Sequence, residues 1–486
     1  MNNSIKDFLD LEDCDDVIVT DIKVDNEKRV KYIFMEKVKR PMFCPECGCR
    51  MHSKGKYVRS VNHPVLNDGY AVILKLSQRK YHCTQEECGI YINEEFSFVE
   101  PNKRTSDVTP ILILNDLKDI KVTCAKVARM RNVSDTFVHE VVLRYLDFTR
   151  LELPEVLCID EVFLNISNDA RYCVILRDFT TGNIIDILPN RYKDTFEDYF
   201  LHIPRSERAN VVYIVSDMYD PYLKLPEKFF NNAESIIDSF HVISWINSKI
   251  NIYINEVKKK YQKIDDERRV ERNIKENKDF VKRKDSKEVY LLKNHRWVLL
   301  MNDDNIDRSP YTRRINQLGG YYSTRQIEEM FMALDPIFPL LKELKEKYIA
   351  FNKECVGKLD EAEVRLDALI EEYKASKYEL FRDFGEILKK RKKEIIASFV
   401  KLDQGISQEG VALSYRRMSN GPMEGFNRKP KDMKRDARGF TNFDFLRNRI
   451  LWAERKDAHI LGVPKTSKDV RDKYKTGAKR TEYKKK

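Results

Sequence analysis

Four short apolar runs near the middle of the chain carry the strongest pattern. Val156 to Ile159 (VLCI), Tyr172 to Leu176 (YCVIL), Ile184 to Leu188 (IIDIL) and Val211 to Ser216 (VVYIVS) are rich in β-branched residues and too short for helices. Unbroken apolar runs of that length predict strands buried on both faces. Thr180, Thr181 and Gly182 read as the turn between the second and third, DTFEDYFL at 194–201 as a short helix capped by Asp194, and SIIDSFHV at 235–242 as a further strand.

Outside this region the period changes. Tyr70, Val72, Leu74 and Leu76 alternate, which predicts one arm of a hairpin. Between 108 and 147 the chain reads as helical, with Ala125, Val127 and Ala128 on one helix, a turn at Asn132 and Val133, Ser134 as N-cap, and Val138, Val141 and Val142 on the next. A helix-turn-helix has this pattern, and it would place Asp135, Thr136 and His139 toward a DNA groove; a plain helical hairpin has it too. From 243 to 415 apolar residues recur at helical spacing, as in Ile327, Phe331, Leu334, Phe338 and Leu341, which predicts a packed helical insertion.

Candidate chemistry sits on these elements. Asp160 and Asp217 close two of the apolar runs, so both would project from one edge of a sheet, where α/β folds place their sites. Glu424 lies 207 residues after Asp217, inside the cation-rich segment MEGFNRKPKDMKRDARGF. Three acids brought together would hold hard divalent cations, and Arg428, Lys429, Lys431, Lys434 and Arg435 beside them would hold phosphate. Phosphodiester chemistry follows from that combination.

Charge distribution adds to this. The net charge is +11, but residues 416–438 hold eight Lys or Arg against three acids and residues 464–486 hold ten against three, leaving the rest close to neutral. A basic surplus beside and after the acid site suits a polyanion substrate, although a solvated tail would have the same composition.

Four of the ten cysteines form two clusters, Cys44 and Cys47 in CPECG and Cys83 and Cys88 in YHCTQEECG. The predicted hairpin would return the second pair to the first, giving four thiolates for a tetrahedral structural Zn²⁺, with Cys49, His52 and His82 as nearby alternatives. Cys14, Cys124, Cys158, Cys173 and Cys355 read as ordinary buried residues. No apolar stretch approaches the ~20 residues that span a bilayer, so a cytoplasmic protein with reduced thiols is expected.

CIDEV at 158–162, VSDMYDPY at 215–222, DSFHV at 238–242 and SNGPMEGFNRK through KRDARGF at 419–440, in that order behind a cysteine cluster, resemble bacterial insertion-sequence transposases of the ISL-three family. The resemblance covers most of the chain. It implies an Asp-Asp-Glu transposase: a multidomain α+β protein with an N-terminal zinc ribbon, a helix-turn-helix and an RNase H-like α/β core interrupted by a helical insertion. The boundaries expected are 1–40 for an N-terminal segment, 41–100 for the ribbon, 105–150 for the helix-turn-helix, 151–242 and 416–460 for the core, 243–415 for the insertion and 461–486 for a basic tail.

In that scheme Asp160, Asp217 and Glu424 are the catalytic residues and bind two Mg²⁺ (or Mn²⁺) ions, while Asp238 and His241 support them. The partners implied are double-stranded DNA, as terminal inverted repeats and target, and further copies of the chain assembled on it, in a bacterial, nucleoid-associated setting. Two departures stand out. The loop after Asp160 (EVFLNISNDA) lacks the basic residues usual in the family, and Pro430 stands where an aliphatic residue is commoner, which predicts a shorter helix beginning near Pro422. A DNA-binding relative that no longer cuts, and a junction or RNA-strand nuclease on the same core, are the competing functions.

Overall fold

The computed structural model describes residues 9, 14–67, 69–168, 171–276, 285–402 and 416–475. It contains two five-stranded sheets, a helical unit between them, a large helical insertion and a closing pair of helices.

The first sheet is built from β1 (Val17–Asp25), β2 (Val30–Lys37), β3 (His52–Asn67), β4 (Tyr70–His82) and β5 (Tyr91–Asn93), in the order β1-β2-β4-β3 with β5 beside β4. The alternation at 70–76 becomes β4, with Val72, Leu74 and Leu76 buried against Val17, Ile33, Met35 and Val61. The N-terminal segment thus contributes β1 and β2 to the same sheet; β2 runs parallel to β4. His52 pairs with His82 at the open end of the β3–β4 hairpin, so both cysteine pairs meet there.

Helices α1 (Val108–Asp116), α2 (Cys124–Met130) and α3 (Asp135–Tyr145) follow. Ser134 caps α3, its hydroxyl accepting from the Phe137 amide at 3.1 Å, and Asn132 turns the chain at φ 53°, a conformation asparagine tolerates better than most residues. The unit docks on the first sheet through Asn62, which donates to Asn132 O at 3.3 Å.

The second sheet comprises β6 (Val156–Phe163), β7 (Tyr172–Asp178), β8 (Ile184–Leu188), β9 (Tyr213–Ser216) and β10 (Glu234–Ile237), in the order β10-β9-β6-β7-β8. β6, β9 and β10 are mutually parallel, and β7 is antiparallel to β6 and to β8. Both faces are covered, which is why the strands read as unbroken apolar runs. Leu157, Ile159, Val174 and Leu176 pack on one side against Phe196 and Phe200 of helix α4 (Lys193–Leu201). Cys158, Val162, Cys173 and Ile175 pack on the other against α1–α3 and the last helices.

Two local expectations are corrected. Asp194 lies in the first turn of α4, and its side chain makes no cap. The strand expected at 235–242 ends at Ile237, and a 38-residue helix, α5 (Ser239–Glu276), starts at once, holds His241 in its first turn beside the sheet, and runs on into the insertion. Its inner stripe, Val242, Ile246, Ile250, Ile254 and Val257, recurs every three or four residues and anchors the insertion's core, where Phe331, Phe338, Tyr348, Tyr373 and Phe384 are fully buried.

The chain returns through Arg417, whose guanidinium donates to Ser398 O, Ser398 Oγ and Asn352 O at 2.7–3.0 Å and lies over Phe399. Helix α6 (Gly421–Asp436) then crosses β6, and α7 (Phe443–Glu454) joins the layers. From α7, Arg447 donates to Asp186 of β8 at 2.7 Å, Asn448 to Leu146 O at 2.8 Å, and Trp452 Nε1 to Leu114 O at 2.7 Å. Arg455, just past α7, serves Ile184 O and Thr149 O at 2.8 Å each. Buried guanidinium groups are tolerated here because each is spent on carbonyls or a carboxylate that would otherwise be unsatisfied. α6 does begin beside Pro422, but it continues through Pro430 for 16 residues rather than stopping short.

Candidate active site and cysteine centre

Strand register decides the layout. Cys158 pairs with Val215 in parallel, so Asp160 and Asp217, each two residues further on, come level. Ser216 pairs with Ile237, so Asp217 and Asp238 come level in turn. Three aspartates therefore stand in one row across three adjacent parallel strands. Asp217 and Asp238 directly follow β9 and β10, as α/β sheets place their sites, whereas Asp160 does not close its strand: β6 runs on to Phe163 along β7, and Asp160 joins the row two residues past the last residue paired with β9.

Each is held by the backbone beside it. Asp160 Oδ1 accepts from the Glu161 amide at 2.8 Å, Asp217 Oδ1 from the Tyr219 amide at 2.9 Å, and Asp238 Oδ1 from the Phe240 amide at 3.3 Å. Burial pushes the Asp160 carboxyl up to about 6, and the neighbouring Asp217 adds to the shift; His241 and the amide of Asn427 oppose it. Burial also raises Asp238.

Helix α6 lies across this row. Asn427 Nδ2 donates to Asp160 Oδ2 at 2.7 Å, and Asn420, the N-cap residue, donates to Ile159 O at 3.1 Å. Glu424 occupies the helix between them; its side chain lies outside the described residues. Asp238 Oδ2, His241 Nε2, Asn420 Oδ1 and Asn427 Oδ1 are buried with no hydrogen-bond partner among the described residues. Orphaned polar atoms gathered around a raised carboxylate are costly in a core and are the expected lining of a site that binds a charged group.

The neighbouring face holds a residue that the sequence reading passed over. Glu161 receives Arg191 at 2.8 and 3.1 Å and the Tyr222 hydroxyl at 2.7 Å. It is thereby committed to a half-buried ion pair on the side of the sheet away from Asn427. Nothing in CIDEV separates its two acids; only strand alternation does.

The basic residues of α6 divide. Arg428 and Lys431 are exposed and carry no ion pair among the described residues. Lys429 pairs with Glu454 at 2.7 Å, Arg435 with Asp432 at 3.2 Å, and Lys434 stands 6.0 Å from the Phe163 ring. On α3, Asp135 and Thr136 are exposed, while the His139 ring stacks on Phe445 at 4.2 Å, and its burial lowers the imidazole pKa against the opposing pull of Asp135.

At the hairpin end, Cys44 Sγ lies 3.5 Å from Cys88 Sγ and Cys47 Sγ 3.5 Å from Cys83 Sγ. All four sulfurs lie within 4.8 Å of one another, and no other group of three or more His, Cys, Asp or Glu does so among the described residues. Zn–S bonds of ~2.3 Å in a tetrahedron put sulfurs ~3.8 Å apart, so the donor set fits the ion. Gly48 and Gly89, each directly after a cysteine pair, take φ of 71° and 59°, which a side chain would resist. Cys49, His52 and His82 stay outside the sulfur cluster. The five remaining cysteines are buried.

Compared with known proteins, residues 157–450 match the family model of ISL3-type DDE transposases, described as "Transposase". The chain belongs to the ISL3 family of insertion-sequence transposases. The match begins one residue into β6 and ends within α7, so it contains the aspartate row, the whole insertion and α6. The chain is also 23% identical over 302 residues to the transposase for insertion sequence element IS1001 of Bordetella parapertussis, covering 59% of this chain and 65% of that protein's length. Transposases of this family use divalent metal ions. No helix among the described residues is long and apolar enough to cross a membrane.

Proposed function

We propose that this chain is an Asp-Asp-Glu transposase that binds the terminal inverted repeats of its own element, cuts DNA strands there and joins them to a target. The row formed by Asp160 and Asp217, crossed by the helix that carries Glu424, is the observation that carries the reading. The strand order β8-β7-β6-β9-β10, with β7 antiparallel, supports an RNase H-like core.

Asp160, Asp217 and Glu424 would hold two Mg²⁺ ions, and the burial of Asp160, which raises its carboxyl despite two hydrogen bonds, together with the orphaned atoms around it fits that ligand set. When bound, such ions activate a water or 3′-hydroxyl and stabilise the leaving oxygen of an in-line displacement. Exposed Arg428 and Lys431 hold the phosphates on either side of the scissile bond, and Asn427 holds the Asp160 carboxylate in one orientation. Asp238 and His241 form the inner wall of the site, with His241 favouring the charged form of both neighbouring aspartates. Cys44, Cys47, Cys83 and Cys88 hold a structural Zn²⁺ that closes the β3–β4 hairpin. The exposed start of α3, with Asp135 and Thr136, meets the DNA groove as a helix-turn-helix would; His139 is committed to Phe445 instead.

Labelled element-end DNA incubated with Mg²⁺ tests this. Asp160→Ala should abolish cleavage and joining while end binding persists. Undiminished cleavage by that variant would remove Asp160 from the site, and binding without cleavage by the parent protein would favour a transposase-derived DNA-binding protein. Cutting that ignores terminal sequence and never joins strands would favour a plain nuclease.

A further inference from the structure

We infer that Asn427 and Asn420 are positioning residues for the strand-cutting reaction: their carboxamides bolt α6 to β6 and thereby fix where the helix turn that carries Glu424 lies along the strand of Asp160. The inference rests on the proposed site and adds two residues to it.

Asn420 and Asn427 are seven residues apart, two turns of a helix, and so lie on one stripe. They donate to consecutive residues of the same strand, to Ile159 O at 3.1 Å and to Asp160 Oδ2 at 2.7 Å. Both acceptors lack a proton to give once Asp160 is ionised, so the amide orientation is determined: each NH₂ must face β6, and each Oδ1 must face away. Those two oxygens are buried and have no partner among the described residues. Glu424 is four residues after Asn420 and three before Asn427, so its helix position falls on the same stripe.

The geometry has a chemical consequence. With Glu161 N on Oδ1 and Asn427 on Oδ2, the Asp160 carboxylate cannot rotate, and its remaining lone pairs keep one direction. A ligating carboxylate whose direction is fixed by a partner loses little entropy when it binds a cation, and loss of such partners typically costs about 10–100-fold in metal affinity or activity. The contact also sets the height of α6 along β6. A one-turn slip would carry position 424 about 5.4 Å along the helix axis and break both amide contacts to β6. Neither asparagine fills this role by hydrophobic packing; Met423, Phe426 and Met433 supply that on the same helix.

Asn427→Ala, Asn427→Asp and Asn420→Ala would be compared with the full-length parent, and with Asp160→Asn, in end-DNA binding and in cleavage across a Mg²⁺ titration. Expected are unchanged end binding, cleavage lowered about 10–100-fold in Asn427→Ala, and a higher Mg²⁺ half-saturation, partly restored by Mn²⁺. Asn427→Asp, which sets a second carboxylate against Asp160, should be worse than alanine. Asn420→Ala and Asn427→Ala should combine to less than the product of their separate effects, as residues acting through one contact do. Parent-like cleavage and Mg²⁺ dependence in Asn427→Ala, with Asp160→Asn inactive, would overturn the positioning role and leave the site standing. A fall in rate with no change in Mg²⁺ half-saturation and no Mn²⁺ rescue would also overturn it, assigning Asn427 to packing. Activity in Asp160→Asn would instead remove the site itself.

Discussion

Asp160 and Asp217 come level because Cys158 and Val215 are in register, and the pairing places two like charges side by side in a partly buried row. The Asp160 carboxyl, held up at about 6 chiefly by burial, keeps its proton in the folded chain at pH values where the unfolded chain has lost it. The cost of ionising it is therefore absent below about pH 4, grows between 4 and 6, and is complete above 6.

Without divalent ions, Asp160→Asn should accordingly raise the unfolding midpoint at pH 7–8 and leave it unchanged near pH 4. Midpoints measured across that range check this, and an Asn variant less stable than the parent at pH 8 would contradict the burial argument. Added Mg²⁺ should stabilise the parent and not the variant.

The cysteine cluster makes a separate prediction. The purified protein should carry about one zinc per chain, and Cys44→Ser should lose it, along with order in the β3–β4 hairpin and affinity for end DNA. Elemental analysis and binding curves read this out; a zinc-free parent that binds ends normally would oppose it.

Arg447 and Asp186 join α7 to β8 across a mostly buried ion pair with side chains 16% and 8% exposed. Breaking it from one side leaves a buried charge, so Arg447→Met should destabilise by about 3–5 kcal/mol. Adding Asp186→Asn should recover part of the loss, which denaturant titration of the single and double variants would show. Additive losses would mean that the two residues act independently.

The cations of α6 should behave differently from one another. Arg428→Ala or Lys431→Ala should weaken DNA binding and reduce the slope of log affinity against log salt by about one each. Lys429→Ala, already paired with Glu454, should alter that slope less. Equal effects at all three positions would indicate that the pair opens on DNA.

Much of the local structure was legible. Ser134 announces its helix because a hydroxyl before an apolar period caps free amides, and the paired spacing of Cys44, Cys47, Cys83 and Cys88 announces the four-sulfur cluster that the hairpin assembles. Glu161 and Asn427 were not legible. One acid of CIDEV faces Asn427 and the other Arg191, and the partner of Asn427 lies 267 residues away in the chain. Pro430 misled in the opposite direction: its missing amide argues for a helix end, yet the burial of Met423, Phe426 and Met433 holds the turn on either side of it.

The sequence by itself determined the elements, the cysteine quartet and which family the chain joins, since apolar period, caps and residue spacing are properties of neighbours. Tertiary structure alone decided that Asp160, Asp217 and Asp238 share a row, that α6 lies on β6, and that Arg447 and Arg455 close the far end. Those contacts depend on strand register and on which buried donor finds which buried acceptor. Such choices are made between segments hundreds of residues apart, where packing and the cost of unpaired polar atoms select one arrangement.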